Sequence, residues 1–333
     1  MTRERPELPF YIDGTMRSAW RTCNMKYFWS YVLRKVPAHN SIHLHAGKAF
    51  AKAVEEVRIA YYLHGESWER AIEIGQVALY RAWYHGVTEE PDPQGTGKTL
   101  QTMLDLTREY FLEYDCAGSD VTPMIRECGK PAVEFSFAIP IPETKHPVTG
   151  EPFLYVGRLD MLAYRGQNKD VVWPVDEKTT SQLGPKWGTQ WSLRGQFIGY
   201  CWAAKSYGYH VPGAIVRGCK ITSTGNIGFA EIPITISDHV IALWLKELQR
   251  DCADIVKAWE SDDFAYDFAE GCSAYGGCPY QMVCSARNPE KWIDVNFVDN
   301  SWNPVTGEGT LDDKLRTVHE PTDITAIVKE MEQ

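Results

Sequence analysis

Residues 153–180 read FLYVGRLDMLAYRGQNKDVVWPVDEKTT, and this stretch decides the fold. Apolar and aromatic residues flank the turn-forming run Arg165-Gly166-Gln167-Asn168, the pattern of two antiparallel strands joined by a tight turn. Residues equidistant from a hairpin turn face each other across the ladder, so Asp160 and Asp176, symmetric about position 168, are expected to be cross-strand neighbours. Alternation along the strand puts Asp176 and Lys178 on one face and Glu177 on the other. Two carboxylates side by side repel unless a cation sits between them, and hard oxygen ligands of this kind suit Mg²⁺ or Mn²⁺. Such a metal generates hydroxide and stabilises charge building up on a phosphorus centre, while Lys178 supplies a mobile point charge. On these residues alone, a solvated strand end beside a turn aspartate is an equal reading.

Working outward, Arg17 to Arg34 has Trp20, Met25, Phe28 and Tyr31 at helical spacing and predicts one amphipathic helix with Cys23 inside it. Helices are expected over Ala46–Leu63, Ser67–Tyr84 and Thr99–Tyr114, with His43 and His45 just before the first of these. Strands follow at Ala132–Ile139, Phe153–Tyr164 and Val171–Lys178, then a helix at Thr189–Tyr207, strands at Ala214–Ile221 and Ile227–Ile234, and a helix from Ser237 to Glu260. The organisation expected is an N-terminal helix (1–40), a helical region (41–130), an α/β core (131–262), a cysteine-rich segment (263–298) and a polar tail (299–333) with a brief helix near Ile324–Met331.

The 333 residues are 44% hydrophobic and 23% charged, enough apolar material for a sizeable core and unlike a disordered chain. The segment Met1 to Asp13 is charged and broken by Pro6 and Pro9, with no long apolar run after it, so a cytoplasmic protein without a membrane partner is expected. A formal charge of −10 argues against a broadly basic surface but leaves room for a local basic groove. Trp173, Trp187, Trp191 and Trp202 read mostly as core. Arg158, Lys186, Arg194, Arg217 and Lys220 are candidates to meet phosphate, none of them compelling.

Gln196 and Tyr200 are four residues apart, on one face of the helix that follows the second acidic strand. Gly-x-x-Asp (157–160), Asp-x-Lys-Thr (176–179) and Gln-x-x-x-Tyr (196–200), in that order, resemble the RecB-type branch of the PD-(D/E)XK nuclease superfamily. The resemblance covers roughly Thr15 to Ala286. It implies an α/β, restriction-endonuclease-like mixed central sheet flanked by helices. It also implies metal ligation by Asp160, Asp176 and the backbone of Glu177, catalysis by Lys178, and a supporting role for Gln196 and Tyr200 along the nucleic-acid groove. Where the family has Gly, three residues and a ligating His, this chain has Gly47 and then Ala51. Glu55, one turn further on, is the candidate to complete the metal shell directly or through water.

Cys272, Cys278 and Cys284 recur at equal intervals in a Gly- and Pro-containing segment, and Cys23 is the best candidate for a fourth ligand. This is similar to RecB-type nucleases of the AddB and CRISPR-associated adaptation classes, which hold a [4Fe–4S] cluster with one Cys before the core and three after it. Zn²⁺ accepts the same four thiolates and stays open. The other cysteines read as buried and inert.

The resemblance implies a Mg²⁺- or Mn²⁺-dependent DNA exonuclease acting on single strands or free ends. The setting would be recombination, repair or bacteriophage DNA metabolism, in a host cytoplasm if phage-encoded and with a possible helicase or recombination partner. Two readings compete: a nucleic-acid-binding or assembly protein that kept the fold while Ala51 cost it cleavage, and a zinc-stabilised structural protein.

Overall fold

The computed structural model describes residues 5–38, 41–85, 95–273 and 277–300. In chain order the elements are β1 (Tyr11–Ile12), α1 (Gly14–Thr22), α2 (Asn24–Tyr27), a π-helical turn (Phe28–Val32), β2 (Lys35–Pro37), α3 (Ile42–Tyr62), α4 (Trp68–Tyr84), α5 (Leu100–Glu113), β3 (Val121–Pro123) and β4 (Val133–Pro140). They continue with β5 (Leu154–Arg165), β6 (Asn168–Thr180), α6 (Pro185–Thr189), α7 (Gly195–Ser206), β7 (Gly213–Ile221), β8 (Ile227–Thr235), α8 (Asp238–Ser261), α9 (Glu270–Ser273), α10 (Gln281–Ser285), α11 (Pro289–Asn296) and β9 (Phe297–Asp299). The architecture is the expected α/β one, a mixed central sheet flanked by helices. The expected helix at Ile324–Met331 lies outside the described residues. Among the described residues no helix is long and apolar enough to cross a membrane.

Two units make up the chain: the described parts of Met1–His39, Phe137–Gly157 and Ala242–Gln333, and those of Asn40–Ser136 and Arg158–Ile241. In the first, β1 runs parallel to the start of β5 (Tyr11↔Leu154) and β2 pairs antiparallel with β9. Asp13 caps α1, its Oδ1 accepting from the N–H groups of Thr15 and Met16, both at 2.7 Å. The single helix expected over Arg17–Arg34 is broken at Cys23, whose backbone is extended (φ −167°, ψ 119°). Tertiary bonding outweighs local propensity here: the Met25 N–H donates to the Ala265 carbonyl at 3.0 Å, and the Asn24 side chain satisfies the Trp20 carbonyl at 2.9 Å.

The second unit holds the sheet order β5-β6-β7-β8. The β5–β6 and β7–β8 pairs are antiparallel, whereas β6–β7 is parallel from Val175↔Ile215 to Thr180↔Lys220. A parallel neighbour needs a crossover, which α6 and α7 supply. Helices α3, α4 and α5 share one apolar cluster that includes Phe50, Val57, Leu79, Trp83, Leu106 and Phe111, with Cys219 and Ile221 of β7 at its floor. Removing each of the larger side chains from water stabilises the fold by about 2 kcal/mol. A Cβ on Gly75 of α4 would lie 2.8 Å from the Ala53 carbonyl oxygen of α3, so glycine permits that close helix contact. Ser41 caps α3 and starts it at Ile42, which puts His43 and His45 inside its first turn rather than before it. The helix expected from Thr189 starts only at Gly195, because Pro185–Thr189 closes as a separate turn and Arg194 is extended.

Candidate active site and cysteine cluster

The β5–β6 ladder ends at the pair Met161↔Val175, and Asp160 and Asp176 are the next residue on each strand. The Asp160 carboxylate reaches across the gap, its Oδ2 accepting from the Glu177 N–H at 2.8 Å. Asp176 is 2% exposed, so its charge has no bulk water to lean on. Its Oδ1 accepts from Gln196 Nε2 at 3.0 Å, and its Oδ2 lies 2.6 Å from Lys178 Nζ with no hydrogen-bond partner beyond that charge contact. Gln196 Nε2 also donates to the Tyr200 hydroxyl at 2.8 Å, which in turn donates to the Arg158 carbonyl at 2.9 Å. Asp160, Asp176, Lys178, Gln196 and Tyr200 are thus brought together by β5 and β6, where their ladder stops, and by the first turns of α7.

Burial, and then the charge of Asp176, push the Asp160 carboxyl well above the usual carboxylate range. Asp176 is also raised, by burial first, with Lys178 opposing. Burial lowers the Lys178 ammonium, but Asp176 and Asp160 outweigh it and leave it raised. A buried acid pair, with Asp176 Oδ2 held only by the Lys178 charge, matches the donor chemistry of Mg²⁺ or Mn²⁺, which needs only one or two carboxylates besides water and substrate oxygens.

Glu177 and Glu55 behave differently. The Glu177 carboxylate turns to the opposite face of β6, where its Oε1 accepts from Arg58 Nη2 at 2.6 Å and from the Tyr110 hydroxyl at 2.7 Å. Burial pushes this carboxyl up, yet Arg58 and Arg217 together with the hydrogen bond to Asp160 outweigh it and hold it down at about 2. Glu55 is 4% exposed; its Oε2 pairs with Lys52 at 3.0 Å, and its Oε1, 4.0 Å from Arg158 Nη2, has no hydrogen-bond partner. Arg158 also contacts Glu134, whose backbone sits in the left-handed region at φ 50°. Ala51 is exposed.

Three participants escaped sequence reasoning: Arg58, Tyr110 and Glu134. The available signal for Arg58 was a single cation on the apolar stripe of α3, between Val57 and Ile59. Arg217, a phosphate candidate from sequence, is fully buried at 0% exposure and bound to Glu231 at 2.9 Å, so it is corrected to an interior residue. Trp187 and Trp191 are buried as expected, at 9% and 6% exposed.

The four cysteines fall in the first unit. Cys278 and Cys284 pack against the apolar cluster of Trp29, Tyr280, Val283 and Ile293, and each is within electrostatic reach of Cys23 and Cys272. Burial pushes both thiols up. The Cys278 N–H donates to the Cys272 carbonyl at 2.8 Å. None of the four is in a disulfide. Among the described residues no three His, Cys, Asp or Glu side chains are grouped so as to hold a metal ion, so Cys23, Cys272, Cys278 and Cys284 are not gathered into one ligand set.

The family model described as the PD-(D/E)XK nuclease superfamily matches residues 18–285. The chain belongs to that superfamily and is, at that level, a nuclease. No curated protein matches it. Among solved structures it is similar to a candidate exonuclease from Eubacterium rectale, with 12% identity, a TM-score of 0.44, and coverage of 79% of this chain and 86% of that one. It is also similar to SSO0001, with 14% identity, a TM-score of 0.26, and coverage of 73% and 85%.

Proposed function

We propose that this chain is a Mg²⁺- or Mn²⁺-dependent DNA exonuclease acting on single strands or free ends. Asp160, Asp176 and the backbone carbonyl of Glu177 would hold the metal, and Lys178 would be the catalytic lysine. The observation that carries this reading is the buried Asp160–Asp176 pair at the open end of the β5–β6 ladder, with the Lys178 ammonium 2.6 Å from Asp176. A bound divalent cation supplies Lewis-acid stabilisation of the phosphate and an acidified water. Asp176 would hold the ion while Gln196 fixes its Oδ1, and Gln196 is in turn bonded to Tyr200. Lys178, 31% exposed along its side chain, reaches both the acid pair and solvent, where it orients a water or neutralises a phosphate oxygen. The partnerless Oε1 of Glu55 supports a role for it through a bridging water.

The test is degradation of end-labelled linear and closed circular single-stranded DNA, with Mg²⁺, Mn²⁺ or a chelator. Metal-dependent loss of linear substrate with circles intact is expected, and Asp176→Ala and Lys178→Ala should each fall by about 10²-fold or more. Normal DNA binding without cleavage would instead support the assembly role that Ala51 suggests.

We further propose that Cys23, Cys272, Cys278 and Cys284 hold a [4Fe–4S] cluster, with Zn²⁺ as the rival occupant. Their placement in one unit, with Cys278 and Cys284 against a single apolar cluster, supports this. Iron, sulfide and zinc analysis of anaerobically purified protein decides between them; zinc without iron would overturn the cluster.

A further inference from the structure

Glu177 sits between the two residues that face the candidate metal, and its own side chain enters a fully enclosed polar cradle. The Tyr110 hydroxyl accepts from Arg58 Nη2 and from Arg217 Nη1, both at 2.9 Å, and donates to Glu177 Oε1 at 2.7 Å. Guanidinium groups only donate, so the single hydroxyl proton has no destination other than Glu177. The cradle also follows the sheet register. Glu177, Arg217 and Glu231 are successive partners across β6, β7 and β8, an acid, a base and an acid in one lateral row. Arg217 Nε donates to Glu231 at 2.9 Å, and Asp115 lies 3.8 Å from its Nη1.

Stability alone does not account for this arrangement. Arg58 and Arg217 are each 0% exposed, and Arg58 leaves Nε and Nη1 without hydrogen-bond partners. Buried ion pairs often stabilise a fold no better than apolar residues of the same size. What an apolar residue would not supply is a directional lock on β6. The pinned residue is also the one whose N–H holds Asp160 at 2.8 Å and whose peptide bonds carry Asp176 and Lys178. A rotation of Glu177 about the strand axis would turn all three away from a common point.

We infer that Arg58, Tyr110 and Arg217 are positioning residues of the nuclease site, clamping the Glu177 carboxylate on one face of β6 so that Asp160, Asp176 and Lys178 converge on the other. The inference rests on the proposed metal site.

The experiment uses the full chain with Tyr110→Phe, Glu177→Gln and Glu177→Leu, and measures Mn²⁺ affinity by calorimetry without DNA, melting midpoint, and the kcat and KM of cleavage. Tyr110→Phe keeps the packing and removes only the shared hydroxyl, so it remains informative if a Glu177 variant fails to fold. Mn²⁺ affinity and kcat should each fall by about 10- to 100-fold in Tyr110→Phe and Glu177→Gln, with KM for DNA unchanged. Glu177→Leu strands the buried Arg58 guanidinium and should lower the melting midpoint, so the decisive reading is loss of Mn²⁺ affinity in Tyr110→Phe at temperatures where it is folded, which a purely structural role would not produce. Lowered melting with unaltered Mn²⁺ affinity and kcat would overturn the positioning role alone. Mn²⁺ binding that is equally strong in Asp176→Ala would overturn the metal site, and the inference with it.

Discussion

Asp176 is held from two directions, by the Gln196 amide on Oδ1 at 3.0 Å and the Lys178 ammonium beside Oδ2 at 2.6 Å. Gln196→Ala removes the neutral partner and leaves the carboxylate free to swing toward Lys178. Calorimetric Mn²⁺ affinity is expected to fall by about 10-fold or more, and loss of a hydrogen bond to a buried carboxylate should also cost about 1.5–3 kcal/mol of stability. Unaltered affinity would reduce Gln196 to packing. Gly157 opens the same motif for a different reason: a Cβ there would overlap the Phe137 ring. Gly157→Ala should therefore destabilise by about 1–3 kcal/mol, read as a lower urea midpoint. The acid pair was legible in sequence because strand alternation and turn symmetry are local rules, and both apply between Asp160 and Asp176. The partners of Glu177 were not legible. Arg58 is 119 residues away and Arg217 is its neighbour only through a parallel register, which no local period encodes.

Among the elements, α5 has a double duty, since it lines the apolar cluster through Leu106 and Phe111 and delivers Tyr110 to Glu177. Its N-terminus is fixed by Thr99, whose Oγ1 accepts from the Thr102 N–H at 3.1 Å. Thr99→Ala orphans that donor and should cost about 1 kcal/mol of stability, visible as a lower urea midpoint with kcat preserved, because the cap lies three turns from Tyr110. Loss of kcat without loss of stability would mean that fraying travels along the helix. Element existence was readable because α3, α4 and α5 have long apolar stripes and side-chain caps. The break at Cys23 was not, because the Met25 N–H finds its acceptor at Ala265, far along the chain. A helical pattern states what a segment prefers, not what a distant carbonyl offers it.

At the scale of the whole molecule, charge sets how a nucleic-acid backbone can be held. The chain has 34 Lys and Arg against 44 Asp and Glu. Several cations are already committed: Arg58 and Arg217 are buried on internal carboxylates and Tyr110, Arg17 and Arg21 bind Asp251, and Lys52 bridges Glu55 and Glu56. With acids outnumbering bases, affinity is expected to come from a local track near Lys178 rather than from a broadly basic face. Each phosphate neutralised on a single strand adds about −0.7 to the slope of log affinity against log salt. A track of about four contacts gives a slope near −3, or about a 50-fold loss of affinity from about 50 to about 200 mM KCl. Fluorescence anisotropy with labelled single-stranded DNA and Ca²⁺ in place of Mg²⁺ measures this without cleavage. A slope steeper than about −6 would demand nine or more phosphate contacts. The surface would then have to present a long basic path, and the short-track account would fail.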